Sequence, residues 1–102
     1  MVRTTSRVVA ADHHIDLKGE IDMWREGTIE IPVGDETKIA HFWVKFYEEG
    51  SEFGINGGRI SKLEIRIDNK VVVHYDRGWD VKPDENNQAI MVAYYICLKD
   101  YN

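Results

Sequence analysis

The sequence predicts an α+β fold, a four-stranded antiparallel sheet packed on one face by a C-terminal helix. Apolar and polar residues alternate from about residue 26 to residue 76, which is typical of half-buried strands. From residue 84 the apolar residues recur at intervals of three and four, as in a helix that lies on a core. A chain of 102 residues has room for one core, so we expect a single domain (1–102) with a peripheral N-terminal arm (1–20) and the sheet and helix in residues 24–101.

Turn residues divide the alternating region into four strands. The first presents Ile29, Ile31 and Val33 to one face and ends in a turn over residues 34–37. The second covers about residues 38–48, the third 59–68 and the fourth 71–76, with a hairpin turn at residues 68–69. Residues 49–58 contain four of the eight glycines, so we expect a loop with several positive φ angles. The arm has no sustained period and could add an edge strand.

The predicted helix begins after Pro83, with Asp84 as its N-cap. The residues at intervals of three and four share the face that covers the sheet: Ile90, Ala93, Tyr94, Cys97 and Tyr101.

A helix on one face leaves the other face of the sheet, which we call the second face, to solvent or to a partner. The alternation assigns to it Thr28, Glu30, Ile39, His41, Trp43, Lys45, Tyr47, Ile60, Lys62, Glu64, Arg66, Val72 and His74. Its aromatic and apolar members exceed what a solvated face requires, which favours a recognition surface. Two alternatives stay open: residues 1–20 fold over this face, or its charges form a cross-strand ladder.

The predicted binding surface combines the second face with the loop at residues 49–58. Its residues are His41, Trp43, Lys45, Tyr47, Phe53, Asn56, Arg59, Lys62 and Arg66. Aromatic side chains supply contact area and charged ones supply orientation, so we expect a protein partner, beginning with a second copy of the chain in a homodimer.

Composition argues against several other classes of protein. The chain is 43% hydrophobic, too apolar for a disordered protein, and its formal charge of -5 argues against nucleic acid as a partner. The apolar run at residues 8–11 is too short for a signal peptide or a membrane span, so we expect no membrane association. A lone Cys97 cannot form an intrachain disulfide or a CxxC site, which favours a cytoplasmic location, and we expect no cofactor.

Histidines and glycines offer weaker candidate sites. His13 and His14 are adjacent, so on an extended segment they point to opposite faces and we expect no metal site there. His41, His74 and Asp76 lack a nucleophile in a sharp turn, so we expect no catalytic residues. The loop at residues 49–58 precedes a strand rather than a helix, which argues against a phosphate site.

The segment at residues 75–80 (YDRGWD) predicts a structural corner after the fourth strand. Gly78 would allow the tight exit, Trp79 would lie over the end of the sheet, and Arg77 would pair with Asp76 or Asp80.

The strings SEFGINGGRISKL (51–63) and YDRGWD (75–80) resemble a family of small domains of unknown function found in Firmicute bacteria and their phages. The resemblance covers roughly residues 24–101 and implies a cytoplasmic protein of phage or mobile-element origin, with no assigned activity or catalytic residues to carry over. Residues 1–23 depart from the shorter start that the family implies.

Three functions follow as hypotheses. The first is a non-catalytic protein-binding module that self-associates or, if phage-encoded, inhibits a host defence protein. The second is a protein that binds or sequesters a small molecule or nucleotide, with Trp43, His41, Arg66 and the glycine loop lining the pocket. The third is a metal-dependent or histidine-based enzyme, which would need titratable groups that converge in a cleft.

Overall fold

A computed structural model describes residues 2–8 and 22–102 of the chain. Over these residues an antiparallel sheet precedes a C-terminal helix, which confirms the predicted α+β class. The elements are β1 (Arg3–Val8), β2 (Asp22–Val33), β3 (Glu36–Tyr47), a 3-10 turn (Ile55–Gly57), β4 (Ile60–Ile67), β5 (Lys70–Asp76), β6 (Trp79–Val81) and α1 (Gln88–Tyr101).

The six strands of the described region form a meander in chain order, each antiparallel to the next. The four predicted strands are β2 to β5, and the other two lie at the edges of the sheet. β1 is the edge strand that the arm was expected to be able to add, and β6 is a three-residue strand hidden in the predicted corner. β2 also begins at Asp22, earlier than the alternation indicates, because Arg25 and Gly27 take positions where an apolar residue would have revealed the period.

The core lies between α1 and the face of the sheet that it covers, which we call the helix face. Apolar residues opposite one another on β2, β3 and β4, such as Ile29, Ala40 and Ile67, lie in rows across this face. The predicted helical face Ile90, Ala93, Tyr94, Cys97 and Tyr101 is buried against them. Removal of this apolar surface from water is the main term that holds the helix to the sheet.

The helix begins three residues later than predicted, with Asn87 as its N-cap. The Asn87 side chain accepts a hydrogen bond from the Ile90 N–H at 3.1 Å. Asp84 instead accepts from the Asn86 N–H at 2.9 Å, and its carbonyl accepts from the Asn87 N–H at 3.0 Å. The carboxylate therefore closes a turn ahead of the helix, a competing use of a short polar side chain.

Two β-bulges overturn two predicted positions on the second face. Between Lys45 and Phe46 the register with β4 skips Ser61, so both Ile60 and Ser61 are buried in the core. A second shift leaves Val72 without a partner residue between Val71 and Val73, and Val72 packs against the core. Strict alternation does not hold across a bulge, because one strand contributes an extra residue.

The loop at residues 49–58 closes one end of the core. Ile55 is buried, and its carbonyl accepts from the Asn102 side chain, which in turn accepts from the Ile60 N–H. Positive φ occurs at Asn56 (53°) and Gly57 (73°), as the glycine content predicts. A Cβ at Gly58 would overlap the Asn102 side chain, so this glycine is needed for close packing instead.

The corner between β5 and β6 forms much as predicted. Trp79 packs edge-on against Tyr75 and Tyr94, and Arg77 lies 3.7 Å from the Asp76 carboxylate. The left-handed residue is Arg77 (φ 57°), however, and Gly78 is not in that region.

Candidate binding face

Trp43 lies at the middle of the second face, on the third strand of the sheet. Its neighbours across the ladder are Glu26 on β2 and Glu64 on β4. The His41 ring stacks beside the indole, with ring centroids 6.2 Å apart and planes 21° apart. The Arg66 guanidinium carbon is 5.7 Å from the centroid of the indole, a cation–π geometry. Two residues with planar side chains therefore frame a half-buried indole.

A second cluster on the same face surrounds the Lys45 ammonium. Lys45 Nζ lies 3.3 Å from Asp22 Oδ2, 5.6 Å from the Trp24 ring centroid and 5.5 Å from that of Tyr47. Only 17% of the Lys45 side chain and 7% of the Asp22 side chain are exposed. Partial burial lowers the pKa of Lys45, but the Tyr47 hydroxyl and the Asp22 carboxylate raise it by more, so the pKa is above its ordinary value.

Ion pairs run across the strands of the second face. They join Arg7 with Glu26, Lys45 with Asp22 and Lys62 with Asp76 (3.8 Å), whereas Arg66 pairs with Glu64 (2.9 Å) within β4 and His74 Nδ1 is hydrogen bonded with Asp80 Oδ2 (2.9 Å). The ladder that the sequence left open as an alternative is therefore present. The exposed pairs among them contribute little to stability, and together the pairs leave the face with little net charge.

Shallow depressions adjoin Trp43 on several sides. The largest, about 430 Å³, lies towards β1 and is lined by Thr5, Arg7, Glu26, Thr28, His41 and Trp43 among others. A second of about 190 Å³ lies towards β5, beside Lys62, Glu64, His74 and Asp76. A third of about 300 Å³ lies between Ile39, His41 and Arg66. The indole is thus the ridge between concave surfaces.

The structure places six of the nine predicted binding residues together on this face: His41, Trp43, Lys45, Tyr47, Lys62 and Arg66. The other three lie elsewhere. Phe53 (49% exposed) and Asn56 are at the surface of the loop that closes the core. Arg59 donates from Nε to the Tyr47 carbonyl at 2.7 Å and lies over the Phe46 ring, so its side chain is on the helix face.

Sequence reasoning missed Asp22, Trp24 and Glu26, which complete the face on β2. They lie at every second position, as a strand requires, but the intervening Arg25 and Gly27 conceal the pattern. The signal that could have found them is the polar–aromatic–polar series itself.

The histidine and cysteine candidates do not converge. His74 pairs with Asp80, Asp76 pairs with Lys62, and His41 stacks on Trp43. The Cys97 thiol is buried on the helix face, and this burial raises its pKa to about 12. Across residues 2–8 and 22–102, no group of three or more His, Cys, Asp or Glu side chains is placed to hold a metal ion. His13 and His14 lie outside the described residues.

The arm was the other alternative for this face. Its residues 3–8 extend the sheet beside β2 and do not cover Trp43, whereas residues 9–21 lie outside the described part of the chain. Within the described residues no helix has the length and apolar character needed to cross a bilayer.

Fold and face together define a class, an α+β domain with one antiparallel sheet, a helix on one face and an aromatic, ion-paired second face. The chain belongs to the family described as a domain of unknown function (DUF7678), whose model matches residues 23–102. This confirms the resemblance to a family of unknown function. Curated proteins gave no match to the chain, and solved structures gave none either.

Proposed function

We propose that this domain is a non-catalytic binding module that associates with a second copy of itself through the second face. The observation that carries the proposal is the half-buried indole of Trp43 at the middle of that face, framed by His41 and Arg66. Large aromatic side chains near the centre of a surface dominate the energy of many protein interfaces.

The paired charges favour a second copy as the partner. A two-fold contact brings each surface against itself, so unpaired charges near the axis would repel. Around Trp43 the guanidinium of Arg66 already has Glu64, and Glu26 already has Arg7. Two such faces can therefore approach without facing unbalanced like charges, and the two indole rings would meet near the axis.

The size of the face is adequate. β2 and β3 each have 12 residues, which at ~3.3 Å per residue is a length of about 40 Å. Six strands at ~4.8 Å spacing are about 24 Å wide within the described residues. A face of about 40 Å by 24 Å is large enough to bury the ~800 Å² per partner that is typical of a stable protein interface.

Sedimentation equilibrium over a range of concentrations tests the proposal. The wild-type mass should rise from 11.9 kDa towards twice that value, and the mass of Trp43→Ala should rise much less over the same concentrations. Tyr95→Ala is the matched control, because Tyr95 is an aromatic residue on α1 with 58% exposure and lies away from the face. A wild-type chain that stays at 11.9 kDa, or a Trp43→Ala chain that associates like wild type, would contradict it.

Two more detailed predictions concern the role of the loop at residues 49–58 and the identity of a host target. Participation of the loop at residues 49–58 depends on its exposed Phe53, and Phe53→Ala should weaken association only if the loop contributes.

A host defence protein as target, and the phage origin that this target assumes, depend on the resemblance alone. Capture from a host lysate, with Trp43→Ala as the negative control, would test that target.

A second candidate function is the binding of a small molecule in the depression of about 430 Å³ beside His41 and Trp43. This volume is within the range of ligand sites, and the lining combines an aromatic ring with Arg7, Glu26 and threonine hydroxyls. Neither the glycine loop nor Arg66 lines it, contrary to the predicted pocket. A thermal-shift screen of nucleotides and metabolites should give a hit that His41→Ala removes, and a screen without hits would count against this candidate.

A further inference from the structure

We propose that the edge of β2 covered by residues 3–8 is a strand-acceptor site, and that β1 of a second copy can occupy it by strand exchange. This contact uses the edge of the sheet, so it does not depend on the association through Trp43.

The first support is the weak side-chain attachment of β1. The side chains of residues 2–7 are exposed, whereas Ile29 and Ile31 on the adjacent β2 are buried. Over residues 3–7 the strand is therefore attached mainly through its backbone ladder with β2, which begins at Arg3↔Glu30. Strands with few buried apolar contacts detach at low free-energy cost, and a detached β1 leaves the long edge of β2 without its ladder partner.

The second support is that β2 is shaped for this strand. A Cβ at Gly27 would overlap the Thr5 carbonyl oxygen and lie 2.8 Å from the Phe42 ring, so glycine permits the close approach of β1. The Arg7 guanidinium pairs with Glu26. A strand with the sequence of residues 3–8 reproduces the Arg7–Glu26 pair and the close approach at Gly27, so the occupant that we propose is a second copy of this chain.

The third support is reach. Thirteen residues separate Val8 from Asp22, and at about 3.5 Å per residue they can span up to about 45 Å. That contour is comparable with the longest dimension of the Cα trace, 48 Å. A reciprocal exchange would keep every contact that β1 makes within one chain, which is what makes exchange of an identical element a low-cost route to a dimer.

The family match adds a consistent observation. It covers residues 23–102, so nearly the whole of β2 lies inside the matched unit and β1 lies outside it. The acceptor edge is thus part of the family unit, and its occupant is a segment joined to it.

Cysteine pairing between two chains tests the exchange in the full-length protein. Thr5 and Thr28 are directly opposite in the ladder, at a separation that suits a disulfide. The double variant Thr5→Cys/Thr28→Cys should form a disulfide within one chain, which checks the register. Equal amounts of the two single variants, mixed and incubated before oxidation, should then give a disulfide-linked heterodimer. Cys97 is buried and should not compete.

The control is Thr5→Cys mixed with Glu30→Cys, because position 30 faces Arg3 and is out of register with position 5. The in-register mixture should give a several-fold excess of linked heterodimer over this control and over each single variant alone. Equal yields would overturn the exchange, and failure of the double variant to form its disulfide would overturn the register on which it depends. Adding Trp43→Ala to both chains should leave the linked heterodimer unchanged while it removes association through the second face, so the two proposals fail separately.

Discussion

The two faces of β3 differ in what their side chains contribute. Phe42, Val44 and Phe46 point to the helix face and are almost completely buried against α1 and the neighbouring strands. His41, Trp43 and Lys45 alternate with them on the second face, where rings and ion pairs are only partly covered. The comparison indicates that the helix face determines stability, whereas the second face carries large side chains that folding alone does not require.

The largest expected effect is a difference in stability between substitutions at two neighbouring residues of β3. Phe42→Ala should destabilise the protein by about 4 kcal/mol, because it removes a large buried ring and leaves a cavity. Trp43→Ala should cost only about 1 kcal/mol in the monomer, because the indole lies at the surface and is only partly buried. Urea unfolding at low protein concentration measures both, and equal losses would show that the two faces are not distinct.

The stability of the protein at alkaline pH tests whether the Cys97 thiol is buried away from water on the helix face. The pKa of Cys97 rises from 9.0 to about 12 through burial, so the unfolded chain releases this proton first and stability falls as the pH rises above 9. At pH 11 wild type should have lost about 3 kcal/mol more, relative to pH 7, than Cys97→Ala. Urea unfolding at both pH values gives the difference, and identical pH dependence in the two proteins would contradict the burial of the thiol.

A smaller effect on stability is expected at the end of the core that the loop at residues 49–58 closes. Gly58→Ala should destabilise by about 2 kcal/mol, because the new Cβ displaces the Asn102 side chain from Ile55 and Ile60. Gly78→Ala is the matched control, since a Cβ there meets open space. Thermal unfolding should lower the Tm of the first variant and leave that of the second nearly unchanged, and similar shifts in both would contradict the contact.

The smallest effect concerns the start of the helix that covers this face. Asn87→Ala should cost about 1 kcal/mol through loss of the N-cap. Asp84→Ala should cost less, because its carboxylate closes only the preceding turn. Urea unfolding measures both losses of stability. A larger loss for Asp84→Ala than for Asn87→Ala would indicate that Asp84 is the N-cap, as the sequence predicts.

The regular parts of the fold could be predicted because they follow simple periods. Alternation correctly separated Phe42 from Trp43, and the three-and-four spacing found the buried side of α1. The turn between β4 and β5 was predictable from residue type, since Asp68 and Asn69 both adopt positive φ.

The irregular parts depend on interactions that the local sequence does not record. The bulges that bury Ile60 and pack Val72 against the core are visible only in the register between strands. Asp84 and Asn87 are both suitable N-cap residue types, and only the structure shows that the Asn87 side chain accepts from the Ile90 N–H while that of Asp84 accepts from the Asn86 N–H. The Lys45 cluster needs Asp22 and Trp24 from another strand, so six of the predicted binding residues could be placed on one face but their partners could not.

An NMR dilution series tests the central account most directly, because it reports on both faces in one sample. With increasing concentration, the resonances of His41, Glu64, Arg66 and the indole N–H of Trp43 should shift together, while those of Tyr95 and Lys99 on α1 stay constant. Shifts confined to α1, or none on the second face at any concentration, would contradict the assignment of that face as the binding surface.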